Sequence, residues 1–171
     1  MRRVSMLLNI EKAKKEAGTM FSAYFEEIPA CDEFPIKYEI VKPVKVNIEY
    51  VYEGEKLLVR GNFEAYLKVN CGRCLKEFIS EVTGEFAEEF AKELTDEISY
   101  QLTGDVIALD KLVLDSIAEQ LPTRFLCSED CKGLCPVCGA DLNVCSCGCN
   151  KNDDKKTTSP FAKLEGLFDN T

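Results

Sequence analysis

The chain has 171 residues, 46% of them hydrophobic and 30% charged, with ten cysteines and neither histidine nor tryptophan. That length suits one domain with a small appendage and suffices for a real core, so disulfides are not needed to compensate for size. Thirty acidic against 21 basic residues give a formal charge of −9, which excludes a broad phosphate-binding face and confines any nucleic-acid contact to a local basic patch; the missing histidine removes the commonest general base and the usual ligand of catalytic zinc.

The N-terminus carries Arg2 and Arg3, but the apolar run VSMLLNI that follows is short and meets Glu11, Lys12, Lys14 and Lys15. It does not read as a signal peptide, and no segment is long and apolar enough to span a membrane. The expectation is a cytoplasmic protein with reduced thiols. An even cysteine count leaves a secreted disulfide framework as the alternative.

Residues 4–10 predict a short strand, and EKAKKEAG after it a helical turn or two ended by Gly18. Residues 26–43, with Pro29, Pro35 and Pro43, read as irregular, and Cys31 as an isolated loop thiol. From Val44 the period becomes two. Val44, Val46, Ile48, Tyr50 and Tyr52 share one face, and Lys45, Asn47, Glu49 and Glu53 the other. EGEK (53–56) is a turn. Leu57, Val59, Phe63, Ala65, Leu67 and Val69 then alternate with polar residues, and after CGRC (71–74) so do Phe78, Val82, Phe86 and Phe90. Such alternation means strands with one buried and one wet face, and short connections predict an antiparallel meander. Residues 77–97 hold eight acids and one lysine, Lys92, the pattern of a solvated face that keeps a sheet edge from pairing.

ALDKLVLDSIAEQLP (108–122) switches to helical spacing. Leu109, Leu112, Val113, Ser116, Ile117 and Leu121 form one stripe, Asp110 is the expected N-cap, and Pro122 ends the helix. The fold class is therefore α+β: an antiparallel β-meander sheet, a packed helix and a small cysteine-rich zinc-binding module. The expected division is a β-rich domain over 1–126, the module over 127–149, and a polar linker with a short terminal helix over 150–171. In the last part, PFAKLEGLF puts Phe161, Leu164, Leu167 and Phe168 on one side, suited to docking on the domain or on a partner.

Seven of the ten cysteines lie between Cys127 and Cys149. Closed four-thiolate sites hold structural rather than catalytic zinc, and a C-x-x-C pair forms a tight knuckle that presents both sulfurs to one metal. CPVCG (135–139) carries this signal strongly, since Pro136 sets the turn and Gly139 permits positive φ after the second ligand. CGRC stands where a hairpin tip is expected. Two pairings can be drawn. In the first, Cys71 and Cys74 join Cys127 and Cys131, while Cys135, Cys138, Cys145 and Cys147 form a local second site, with Cys149 a spare that can replace Cys147. In the second, Cys71 and Cys74 join Cys135 and Cys138. Short loop closure favours the first. Two divalent ions on eight thiolates would remove eight protons and add four charges, moving −9 to −13. Iron suits four thiolates too. CGRC also resembles a redox dithiol, but that chemistry favours a helix after the pair, and LKEFISEV reads as strand.

The set CGRCL, a helix ending in Leu-Pro, CSEDCKGLCPVCGADLNVCSC and SPFAKLEGL resembles the YceD-like family of large ribosomal RNA subunit accumulation proteins. The resemblance covers most of the chain; the first forty residues match loosely. It implies a non-catalytic role in ribosome biogenesis, through large-subunit rRNA accumulation. The implied partners are a large-subunit ribosomal protein, pre-rRNA or both, with no membrane and no small-molecule substrate. By match to its motifs, Cys71, Cys74, Cys127, Cys131, Cys135, Cys138, Cys145 and Cys147 are the metal-ligand candidates. The alternatives are a zinc-stabilised protein-interaction adaptor without ribosomal role, and a CxxC thiol oxidoreductase. No catalytic residue is carried over.

Overall fold

The computed structural model describes residues 6–30, 37–94 and 100–149. Cys31, the predicted linker and the predicted terminal helix lie outside them.

Strand β1 (Leu7–Asn9) and helix α1 (Glu11–Lys15) open the described chain, followed by β2 (Met20–Glu27) and the two-residue β3 (Glu39–Ile40). Three long strands come next: β4 (Val44–Glu53), β5 (Lys56–Asn70) and β6 (Glu77–Ala91). Short strands β7 (Tyr100–Gln101) and β8 (Val106–Ala108) lead into helix α2 (Asp110–Glu119). The main sheet has the order β2-β4-β5-β6-β7, with β3 also on β5, and β1 pairs β8 in a separate ribbon.

The period-two pattern maps onto burial. Val44, Val46, Ile48 and Tyr50 of β4 are buried, as are Leu57, Val59, Phe63, Ala65, Leu67 and Val69 of β5 and Val82, Phe86 and Phe90 of β6. The β4–β5 hairpin turns on two residues, Gly54 (φ 56°) and Glu55 (φ 69°), between paired Glu53 and Lys56. Positive φ at both central positions makes this the type I′ turn that matches strand twist. Gly61 continues the buried row of β5. A Cβ there would run into the Asn47 carbonyl and the Phe86 ring, so only glycine lets these strands approach as they do.

Helix α2 closes the core with Leu112, Val113, Ser116 and Ile117 buried, and Leu114 with them. Its expected N-cap is displaced. Leu109 occupies the cap position with no side-chain hydrogen bond, and Asp110 is the first helical residue. The Asp110 carboxylate is buried and accepts from the main-chain N–H of Met6 at 3.2 Å and of Ala30 at 2.8 Å. It serves distant backbone instead of its own helix end.

The sheet is mixed, not a pure antiparallel meander. The meander holds through β4, β5 and β6, but β7 runs parallel to β6, pairing Phe90 with Tyr100 and Ala91 with Gln101. Side-chain contacts account for this placement. The Tyr100 ring packs on Phe90 at 5.2 Å, and its hydroxyl donates to Asp115 of α2 at 3.0 Å. Residues 19–25 and 100–107, given no assignment from periodicity, hold most of β2, β7 and most of β8; the end of β2 and all of β3 fall within 26–43, read as irregular, and β8 ends on Ala108, the first residue of the expected helical stretch. Within the described residues no helix is long and apolar enough to cross a membrane.

Candidate metal centres

The first knuckle is the tip of the β5–β6 hairpin. Cys71 N–H donates to the Lys76 carbonyl and Leu75 N–H to the Cys71 carbonyl, both at 2.9 Å. The residue after the second thiol takes positive φ in both knuckles: Leu75 at 61° and Gly139 at 73°. After α2, Gly72 N–H donates to the Phe125 carbonyl at 2.8 Å. That bond sets the returning chain beside the tip.

Two groups of four thiols result. Cys71, Cys74, Cys127 and Cys131 form one, and Cys135, Cys138, Cys147 and Cys149 the other, with all sulfurs in each group within 4.8 Å of one another. Cys71 Sγ lies 3.7 Å from Cys131 Sγ, and Cys74 Sγ 3.6 Å from Cys127 Sγ. A disulfide needs about 2.05 Å. A tetrahedral ion with metal–sulfur bonds of about 2.3 Å needs sulfur–sulfur edges of about 3.8 Å. The donor set thus fits a tetrahedral thiophilic ion, and the nine described cysteines are all free thiols.

The electrostatics point the same way. Main-chain N–H groups, of Cys127 first and then Cys74, hold the Cys71 thiol down to about 6. Burial pushes its neighbour Cys127 up to about 12. In the second group Cys138 and Val137 N–H groups hold Cys135 down to about 6, while the Cys138 thiol, then burial, pushes Cys149 up to about 12. One sulfur in each group is set to ionise and another resists. Four thiolates this close coexist only around a cation.

The first pairing drawn from the sequence places its four sulfurs together; the rival one, joining Cys71 and Cys74 to Cys135 and Cys138, does not occur. Cys145 lies outside the second group, which brings Cys149 together with Cys135, Cys138 and Cys147. The Asp141 carbonyl accepts from Val144 N–H at 3.1 Å and Cys145 N–H at 3.0 Å, and the Cys145 thiol points to the same oxygen at 3.6 Å. This turn spends Cys145 on its own loop. CSCGC offers two equal C-x-C pairs, so spacing alone does not choose between them.

Two polar residues that spacing does not flag tie the groups together. Arg73 Nη1 donates to the carbonyls of Glu129 at 3.1 Å and Cys131 at 2.9 Å. Asn143, in the second loop, donates from Nδ2 to Cys131 Sγ at 3.5 Å, and its Oδ1 accepts from Lys132 N–H at 2.8 Å. Ligand-supporting hydrogen bonds of this kind fix sulfur orientation and tune the site. The strand after Cys74, β6, leaves the redox alternative without the helix start that lowers a nucleophilic thiol's pKa.

Residues 59–168 match the family described as "Large ribosomal RNA subunit accumulation protein YceD". Uncharacterised proteins of Mycobacterium tuberculosis and Mycobacterium bovis are each 33% identical over 148 residues, covering 80% of this chain and 70% of theirs. The chloroplastic large ribosomal RNA subunit accumulation protein YCED homolog 1 of Arabidopsis thaliana is 31% identical over 58 residues, 34% of this chain and 18% of that protein. No solved structure matches the chain.

Proposed function

The chain belongs to the YceD family of large ribosomal RNA subunit accumulation proteins, and on that footing we propose that it is a non-catalytic zinc-binding factor promoting large-subunit assembly and 23S-type rRNA accumulation. The observation that carries the structural part is the pair of four-thiol groups, the sulfurs of each within 4.8 Å of one another. Zinc suits them because its closed sites favour four thiolates and it brings no redox chemistry. Such an ion contributes on the order of 10–16 kcal/mol of apparent binding energy, enough to hold a short module that has little core of its own.

The first ion would join the sheet's hairpin tip to the chain leaving α2. Its role is to fix a shape, which suits a factor that presents a surface. The work takes place where ribosomes are built, in the cytoplasm, and the partners are a large-subunit ribosomal protein, pre-rRNA or both.

Depletion of the protein followed by sucrose-gradient profiling tests the reading. The expected result is loss of free and assembled large subunits with a fall in their rRNA. Unchanged profiles and rRNA levels would sink it and favour an adaptor outside ribosome assembly.

A further inference from the structure

The solvent side of the main sheet carries an apolar row at one end. Met20 of β2 pairs with Val51 of β4, and Val51 with Leu58 of β5. Ala87 of β6 completes the row one step along. Met20 is 52% exposed, Ala87 is exposed, and Val51 and Leu58 are half-buried. Together they line a groove of about 340 Å³. Elsewhere on this face Tyr24 and Ile79 are exposed among polar residues, away from the groove.

The charges around the groove are unequal. The cations on these outward positions are already engaged: Lys45 with Glu64, Lys56 with Glu89, Arg60 with Glu49 and Lys68 with Glu77. Glu81 and Glu85 of β6 are exposed and in no ion pair among the described residues. Residues 77–91 contain five glutamates and no lysine or arginine. The face therefore offers an apolar slot in line with two carboxylates, Glu85 and Glu81, that are in no ion pair among the described residues. Glu85 lies four residues from Glu89 at the groove, about 13 Å along the strand, and Glu81 about 26 Å.

We propose that this face docks a basic amphipathic segment of a protein partner, its apolar side chains in the Met20–Val51–Leu58–Ala87 groove and its cations on Glu85 and Glu81. Charge complementarity selects this occupant. A second copy would bring the same acidic strand, and RNA would bring phosphates to a carboxylate row. Apolar anchors then supply affinity and the carboxylates set direction. The inference rests on the reading above only for the partner's place among assembly components.

The test uses the full metal-loaded chain and two synthetic 18-residue probes of identical leucine and lysine composition. One has helical amphipathic spacing and the other is scrambled; poly-U RNA is a third probe. Fluorescence anisotropy near physiological salt should show the amphipathic peptide binding at least tenfold tighter than the scrambled one. Leu58→Gln and, separately, Glu85→Lys should each weaken it at least tenfold, while Glu119→Lys, exposed on α2 at the opposite side of the sheet, should not. Glu85 is exposed, so its variant keeps the test alive if the Leu58 variant folds poorly. Equal binding by wild type and Glu85→Lys overturns the proposal. So does tighter binding of poly-U, or a sedimenting dimer that Leu58→Gln abolishes. Peptide binding without an effect of depletion on rRNA would remove the ribosomal reading and leave this surface standing; the reverse result would do the opposite.

Discussion

The guanidinium of Arg73 donates to the Cys131 carbonyl at 2.9 Å, while the main-chain N–H of the same residue donates to Cys71 Sγ at 3.4 Å. One residue thereby reaches two cysteines of the first group, sixty positions apart in the chain. The Leu134 N–H returns a bond to the Arg73 carbonyl at 3.1 Å, at the threshold of the second group. Arg73 is the mechanical link between hairpin tip and module. Arg73→Ala should cost about 1.5–3 kcal/mol, the range for hydrogen bonds that involve a charged group. Chelator-driven release should accelerate for the first ion and stay near wild type for the second. Uniform acceleration of both would contradict this role.

Gly133 sits under that link. Its φ is 74°, and a Cβ there would lie 3.0 Å from the Arg73 carbonyl oxygen. Gly139 has nearly the same φ, 73°, but open space around it. Both glycine-to-alanine changes carry the backbone penalty of about 1 kcal/mol, and only Gly133→Ala adds a clash. Thermal unfolding of the loaded proteins should rank Gly133→Ala clearly below Gly139→Ala. Equal melting temperatures would show that the module does not press on the knuckle as described.

Asp110 is buried, and its carboxyl oxygens hold Met6 and Ala30 by their N–H groups. Asp110→Ala leaves those donors without this acceptor, at about 1–3 kcal/mol for each one left unsatisfied. Hydrogen exchange should report faster opening of the β1–β8 ribbon and the segment around Ala30, ahead of β4 and β5. Uniform loss across the sheet would instead mean that the carboxylate supports the whole core.

Lys45 donates to Glu64 at 3.0 Å, and Tyr66 donates to the same carboxylate oxygen at 3.0 Å. The lysine first, and the tyrosine second, hold the Glu64 carboxyl below its usual range. A carboxyl depressed by folding adds stability above its unfolded pKa, and that stability is lost as pH falls through the folded value. The gap in urea midpoint between wild type and Glu64→Gln should be present at pH 7 and shrink below about pH 4. A gap that widens in acid would reverse the sign and refute the assignment.

Much of this was legible in the residues. The alternation from Val44 to Phe90 declares three strands because their two faces differ so sharply in polarity, and EGEK declares its turn through the glycine that a type I′ corner demands. The knuckles are legible because spacing alone sets which sulfurs a tight turn presents. Other features depend on contacts that no local pattern records. Strand β7 is two residues long and is positioned by Phe90 and Asp115. Asp110 reads as a cap locally, yet its partners lie 104 and 80 positions away. The choice of Cys149 over Cys145 follows from a turn on the Asp141 carbonyl, which identical C-x-C spacings do not encode.

The central claim, two four-thiolate centres with a defined ligand set, is tested most directly by metal stoichiometry. Protein purified without chelator is weighed by native mass spectrometry as wild type, Cys145→Ser and Cys149→Ser. Wild type and Cys145→Ser should each carry two zinc ions per chain, and Cys149→Ser one firmly held ion. Metal-free wild type, or loss of an ion from Cys145→Ser with both retained in Cys149→Ser, would contradict the account.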